Sequence, residues 1–550
     1  MKRSIFTWNG KPIPRHVWIL LAIVAVGFFV RAYHYHDWLR FSPDEARDAT
    51  YIVDALTGKA PLPDLGPQAG NTRFYLGPLY YQVLYVSALL FGTAPEAFAY
   101  PDLLFSILVI PLLYVYLRKL FSLEISLFLT AVLALSSFVI ETARFSSNPN
   151  SIPFFLVLFL LGLLGVMERG ESVRKRWWAA AIGIGLGVGI QLHTLLFLIM
   201  PAIAAIVAVY LWIRKNLSWK DLVIALACFA IVNAGQLTYE WRTGGSNIRH
   251  LFKGAQSESN IGSETLAGNV AMIAACQVQA NIRIVANPVD FEKCGGLFNI
   301  AKVVERRNFI PGSGWFVNGI AFAFVMVLSV LFSVGGYLLA WRQLKDDPDE
   351  GKRNFIGLFL VFNLIALLAM MPVSSQIAVH YFNVLVFVPF ILLGLWMNLS
   401  LERKWLPGKK SILIFMMIFC MMDTSSLLQM AHLYEDKVVS DSDNSILGEI
   451  TPMLDYLVAG SGQPDRVYVT GSDSALKRFY APLVYLAWQS DIRMIRPGKR
   501  EPFAPGTRFF YIDDTKSADV TLRKTIDGDT VLSVRRFGKI VIFTMMKNPL

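Results

Sequence analysis

FSPDEARDAT, residues 41–50, is the stretch from which the chain is read. It sets Asp44 beside Glu45, and Arg47 beside Asp48, directly after the first long apolar run. Ionisable side chains are costly in a bilayer and are kept at watery faces or where they have a role. Ser42-Pro43-Asp44-Glu45 is also good helix-start chemistry: a serine that can cap, a proline for the first helical position, and first-turn acids. The stretch therefore reads both as a helix start and as a general base at a membrane surface, and the two readings are compatible.

Around it lie 550 residues, 55% hydrophobic and only 17% charged, with mean hydropathy +0.48. Apolar runs of about 20 residues recur, which predicts transmembrane helices. The net charge of +11 gathers in short loops, as cytoplasmic loops require, and is not a nucleic-acid signal. No zinc finger, Walker loop or basic recognition helix is present in the sequence. Cys228, Cys276, Cys294 and Cys420 lack metal-ligand spacing. Cys276 and Cys294 share one segment, where a disulfide and free thiols fit equally. The basic N-terminus is followed by no small-residue cleavage site, so the first apolar run reads as a retained helix.

Spans are predicted near 16–34, 100–117, 123–141, 151–167, 177–192, 194–213, 221–238, 313–341, 354–372, 380–400 and 411–430. That makes about eleven helices, with the basic loops on one side and the N-terminus cytoplasmic. Residues 35–99 and 239–311 then form outside segments, and the tyrosine-rich run 78–91 reads as an interfacial helix. After 430 the composition changes. Turn residues and probable strands at 466–470 and 507–512, with a hairpin across 535–539, predict a small α/β domain. The expected fold class is an all-α polytopic membrane protein, residues 1–430, carrying a C-terminal extracytoplasmic α/β domain, residues 431–550.

On this topology Asp44-Glu45, the segment Glu141 to Asn150, His193, Glu240 with Arg242, and His380-Tyr381 share the outside face. Each also has an ordinary structural reading. Glu141 and Arg144 are i,i+3 neighbours, and Asn148-Pro149-Asn150 can start a helix. His193 fits as a satisfied buried histidine, and His380-Tyr381 fits an aromatic belt. Gly183, Gly185, Gly187 and Gly189 predict close helix packing.

With these motifs in place, the sequence resembles the polytopic GT-C glycosyltransferases, nearest the bacterial protein O-mannosyltransferase and aminoarabinose transferase families. The matching stretches are PDEARDA (43–49), RFYLGPLYY (73–81), ARFSSNPNSIPFF (143–155), GIQLHT (189–194), YEWRTGGSN (239–247) and HYFNVLVFVPFILLG (380–394). The resemblance covers roughly residues 15–430 and implies transfer of a sugar from a polyprenyl phosphate in the outer leaflet, with inversion. It implies Asp44 as the catalytic centre, supported by Glu45. It also implies a bacterial inner-membrane location, with a lipid, glycan or protein acceptor, membrane lipid as surroundings and no nucleic acid. Two departures stand out. The aminoarabinose transferases carry a Glu-Lys-Pro-like stretch where this chain has Leu76-Gly77-Pro78, and an Asp-Pro where it has Asn148-Pro149. The first removes the lysine expected at the donor phosphate. The second leaves a further acid, and any metal it would help hold, unassigned. No metal ligand is named; a divalent metal ion is the one cofactor left open.

The chemistry needs a carboxylate to take the acceptor hydroxyl proton and positive charge near the leaving phosphate. Asp44 supplies the first. Arg73, Arg144 and Arg242 are the outside cations that could supply the second, with Arg73 preferred because it sits near the displaced lysine position, and Arg73 and Arg144 are taken as the donor-phosphate contacts. Tyr75, Tyr80, Tyr81, Glu141, Asn148, Asn150, His193, Glu240, His380 and Tyr381 are the candidate substrate contacts. Two other classes compete: a transporter or flippase of a lipid-linked saccharide, and a non-catalytic assembly protein of the cell envelope. A transporter would carry ionisable groups near helix midpoints and often internal repeats.

Overall fold

A computed structural model describes the chain except residues 1–6, 9–10, 13, 71, 169–171, 260–264, 287–314, 373–376, 378, 404–408, 436–444, 464, 498–502, 514–524, 527, 539 and 550. The first part is helical: α1 (Arg15–Ala32), α2 (Pro43–Leu56), α3 (Leu79–Phe91), α4 (Pro95–Leu117), α5 (Leu123–Leu135) and the short α6 (Ser137–Glu141). There follow α7 (Ile152–Met167), α8 (Ser172–Leu192), α9 (Thr194–Ile213), α10 (Trp219–Val232), α11 (Ala234–Arg242), α12 (Ser246–Ser259) and α13 (Leu266–Val285). The bundle is completed by α14 (Trp315–Asp346), α15 (Glu350–Met370), α16 (Val388–Glu402) and α17 (Lys409–Glu435).

Six described helices are long and apolar enough to cross a membrane, or seven if the pair α10 and α11, bent by 71°, is one broken span. This is the architecture of a multi-pass membrane protein. The described helices thus meet the length and composition of a span fewer times than the sequence reading expects, for local reasons. The run 123–141 breaks at Ser136, whose hydroxyl donates to Ile284 O (2.6 Å) instead of leaving the helix continuous. The run from 380 enters as a 3₁₀ turn, Val379–Leu385, before the 15-residue α16.

The sequence reading makes residues 239–311 one long outside loop; 287–311 lie outside the described residues, and the described part is not an irregular loop but holds α12 and α13, with α13 packed into the bundle against α14 and α16. Ile273, Cys276, Ala280 and Ile284 join the main core. On the same helix Gln277 donates to Asn363 (2.7 Å) and Asn281 to Ser333 (3.0 Å). These amides lowered the apolar signal of 266–285, although partners bury them. Cys276 is disulfide-bonded; Cys294 lies outside the described residues.

The glycine stripe on α8 does what its spacing predicts. A Cβ on Gly183 would overlap Ala225 O of α10, and one on Gly187 would lie 2.7 Å from Asn233 Nδ2. One on Gly185 would lie 2.9 Å from Phe155 O of α7. Helix α8 is therefore gripped from two sides at backbone distance.

The C-terminal layer runs α18 (Leu447–Ser461), β1 (Arg466–Gly471), α19 (Asp473–Gln489), β2 (Arg493–Ile495), β3 (Arg508–Asp513), β4 (Thr525–Ile526), β5 (Asp529–Phe537) and β6 (Ile540–Met546). Its sheet has the order β2-β1-β3-β6-β5-β4, with β1 parallel to both neighbours and the rest antiparallel. This layer shares its core with the first loop. Leu39, Phe41, Ala49, Ile52 and Val53 pack in one cluster with Ile450, Leu476, Phe479, Leu483 and Phe510. The backbone seals the joint: Phe41 N donates to Ser445 O and Leu447 N to Leu39 O, both at 2.9 Å.

Candidate active site

Helix α2 begins as its sequence dictates. Ser42 is the N-cap, Pro43 opens the first turn, and Glu45 at the third position closes a capping box. Glu45 Oε2 accepts from Ser42 N (2.9 Å) and from the Ser42 hydroxyl; Oε1 accepts from Arg40 Nη2 (2.8 Å). The Glu45 side chain is 3% exposed, so its carboxylate is spent on the helix start. Asp44 behaves differently. Its side chain is 79% exposed and its Oδ1 accepts from Arg47 Nη1 (2.6 Å). Arg47 also donates to Asp48 Oδ1 from Nε (3.0 Å) and Nη2 (2.8 Å). Asp48 is buried, and Tyr81 of α3 donates to the same oxygen (3.0 Å). Burial pushes Asp48 up to about 6, against the opposing pull of Arg47 and Tyr81. Burial alone would lower Arg47, but Asp48, Asp44 and Tyr81 together outweigh it and raise that guanidinium above its ordinary value. Tyr80 shares a hydrogen bond with Ser146 Oγ (2.9 Å).

A second group forms around the Asn-Pro-Asn turn. Asp102 of α4, buried, accepts from Ser147 N (3.0 Å) and Ser151 Oγ (2.7 Å) and so pins the 3₁₀ turn Asn148–Ser151. Sequence reasoning passed over Asp102. The signal was there: an acid inside an apolar run. Asn148 donates to Leu192 O, and Asn150 to Phe145 O (2.8 Å). His193 caps α9, its Nδ1 accepting from Leu195 N (3.2 Å), and its ring meets the Tyr381 ring edge-on at 5.4 Å. Asn383 donates to Pro149 O (3.1 Å). The His380 side chain lies outside the described residues. Glu141 pairs with Arg283 of α13 (3.8 Å). Arg144, 1% exposed, donates from Nη2 to Val30 O and Tyr33 O (2.8 Å each) and faces the Trp38 ring. It serves the carbonyl end of α1.

The third group surrounds the loop before α3. A Cβ on Gly77 would overlap Gln191 Oε1. Gln191 in turn accepts from Leu79 N (3.2 Å) and donates to Val232 O (3.1 Å). Gly77 is thus matched to a glutamine that fills the space. Asn247 of α12 clamps the Tyr75 backbone through both its N–H and its C=O (2.8 and 2.9 Å). Between these segments lies a cavity of about 370 Å³ lined by Arg73, Tyr75, Tyr239, Ser246, Asn247 and His250. Among the described residues Arg73 has no ion-pair partner. Glu240, buried, accepts from Ile248 N (3.4 Å), and Arg242 pairs with Asp64 (3.7 Å). Among the described residues no group of three or more His, Cys, Asp and Glu side chains could hold a metal ion.

Residues 76–233 match the family model described as dolichyl-phosphate-mannose-protein mannosyltransferase. No curated protein matches the chain. Among solved structures, ArnT from Cupriavidus metallidurans bound to undecaprenyl phosphate aligns at 13% identity over 96% of this chain and 97% of that one, with TM-score 0.49. The same protein in the apo state aligns at 13% identity over 96% and 97%, with TM-score 0.45. The apo oligosaccharyltransferase of Archaeoglobus fulgidus aligns at 11% identity over 91% of this chain and 69% of that one, with TM-score 0.48. The matched segment starts after FSPDEARDAT and Arg73 and takes in the Asn-Pro-Asn turn, Gln191, His193 and the break at Asn233. In sequence pattern and matched segment alike, the chain resembles GT-C membrane glycosyltransferases of the protein mannosyltransferase type.

Proposed function

We propose that the chain transfers a sugar from a polyprenyl-phosphate-linked donor to an acceptor hydroxyl at the outer face of the membrane, with inversion. The observation that carries this reading is the division of labour on α2. Of the acids in its first two turns, Glu45 holds the cap and Asp48 is buried, while Asp44 offers its carboxylate to solvent. Asp44 takes the acceptor proton as the acceptor oxygen attacks the anomeric carbon. The bond from that carbon to the phosphate oxygen breaks, and polyprenyl phosphate leaves. Arg73, in the cavity it shares with Tyr75 and His250, is the cation proposed to meet the phosphate charge. The match to a mannosyltransferase model supports a donor of this class. The acceptor remains a lipid, glycan or protein hydroxyl.

A second reading rests on Arg31, Asp102 and Asp423, ionisable groups buried on apolar helices as a transporter would have them. Two of the three are tied down: Arg31 by Gly27 O, Ala134 O and Ser106, and Asp102 by the 3₁₀ turn. Purified protein given a panel of polyprenyl-phosphate sugars, both in detergent and reconstituted in liposomes, separates the two. Release of polyprenyl phosphate with a glycosylated product supports the enzyme. Movement of intact donor across liposomes without cleavage supports the transporter.

A further inference from the structure

Arg47 bridges two carboxylates with different surroundings. Its Nε and Nη2 hold buried Asp48, and its Nη1 holds exposed Asp44. An arginine paired only with an exposed acid at i,i+3 is weakly held and samples other rotamers. Arg47 is itself 43% exposed, so the contact that fixes it is the buried one. Tyr81 fixes Asp48 in turn. The carboxylate that Arg47 orients has one oxygen engaged, Oδ1, leaving Oδ2 to accept a proton.

We infer that Asp48 is a positioning residue for sugar transfer, acting through Arg47 to hold the Asp44 carboxylate in its reactive orientation. The inference rests on the proposed role of Asp44 as base. It has the logic of catalytic groups in which a base is oriented by a third residue. No proton passes to Asp48: the acceptor proton goes to Asp44, and Asp48 keeps Arg47 in place. Burial disfavours the ionised form of Asp48 more than Arg47 and Tyr81 favour it, and a perturbed acid tied by one guanidinium to an exposed carboxylate is a candidate for function.

The test measures transfer by purified full-length protein for wild type, Asp48→Asn, Arg47→Ala and the double variant, together with their melting temperatures. Asp48→Asn should lower kcat about 10–100-fold, the scale of a misplaced catalytic group, with donor KM within about twofold. It should melt no lower than wild type. In the Arg47→Ala background the same change should cost nothing further, because its route to Asp44 is gone. Equal losses with and without Arg47 would overturn the inference, as would a lowered melting temperature with kcat unchanged. If Asp48→Asn does not fold, Asp48→Glu carries the same comparison: it should lower kcat only when Arg47 is present. A wild type that transfers nothing removes the proposed function and this inference together. An active wild type matched by Asp48→Asn removes only the inference.

Discussion

Asp48 sets a measurable cost on the fold. Its carboxyl sits at about 6, so the folded chain holds this proton more tightly than the unfolded chain does. The resulting stabilisation is fully present below the unfolded value of about 3.9 and is lost as pH rises through about 6. A shift of about two units corresponds to something on the order of 3 kcal/mol between the two limits. Wild-type thermal stability should therefore contain a component that declines between about pH 4 and pH 6 and that Asp48→Asn lacks. Melting curves across that range check it. A variant that melts lower than wild type at neutral pH would mean that Arg47 and Tyr81 repay the burial in full. At the same scale, Glu45 shows how a residue can be legible in chemistry and ambiguous in role. The spacing Ser42-x-x-Glu45 announces a capping box, and the structure has one. The adjacent acid, Asp44, is the one left in water.

Among the elements, the contact between the loop before α3 and helix α8 is the most sensitive. Gln191 fills the space beside Gly77 and links Leu79 to Val232. Gly77→Ala should destabilise by about 1–3 kcal/mol, the usual cost of overpacking, and Gln191→Ala should relieve part of it. Thermal unfolding of the two single variants and the double variant measures the coupling; additive losses would mean the two residues do not compete for space. Much at this scale could be read from sequence. The tyrosine-rich run at 78–91 is the helix α3, and the glycines of α8 do mark close approaches. Helix α13 could not be read, because its Gln277 and Asn281 look like loop residues until Asn363 and Ser333 arrive from helices far along the chain. Asp48 was legible beside Arg47, but its contact to Tyr81, 33 residues away, was invisible for the same reason. Asp102 was visible as an anomaly, but its partners, the amide of Ser147 and the hydroxyl of Ser151, were not.

At the scale of the molecule, the joint between the first loop and the C-terminal layer constrains topology. Phe41 bonds to Ser445 and Leu39 to Leu447, so both segments lie on one side of any membrane the helices cross. Exposed Trp177, Trp212, Trp219 and Trp341 lie close in sequence to Arg176, Arg214, Lys220 and Arg342, an aromatic and basic pattern expected of a membrane interface. Single cysteines at Lys345 and Asp473 should label from opposite sides of sealed vesicles, with Lys345 cytoplasmic; labelling from the same side would dismantle the outside site. The central claim is that Asp44 is the base of a sugar transfer. Its most direct measurement is turnover of a defined polyprenyl-phosphate sugar by purified wild type and Asp44→Asn, with expression and melting temperature matched. Asn keeps the size of the side chain and cannot take the proton, so the fold should persist and the rate should fall by about 10²–10⁴. An Asp44→Asn protein that turns over at near wild-type rate would contradict the claim and leave FSPDEARDAT as a helix start alone.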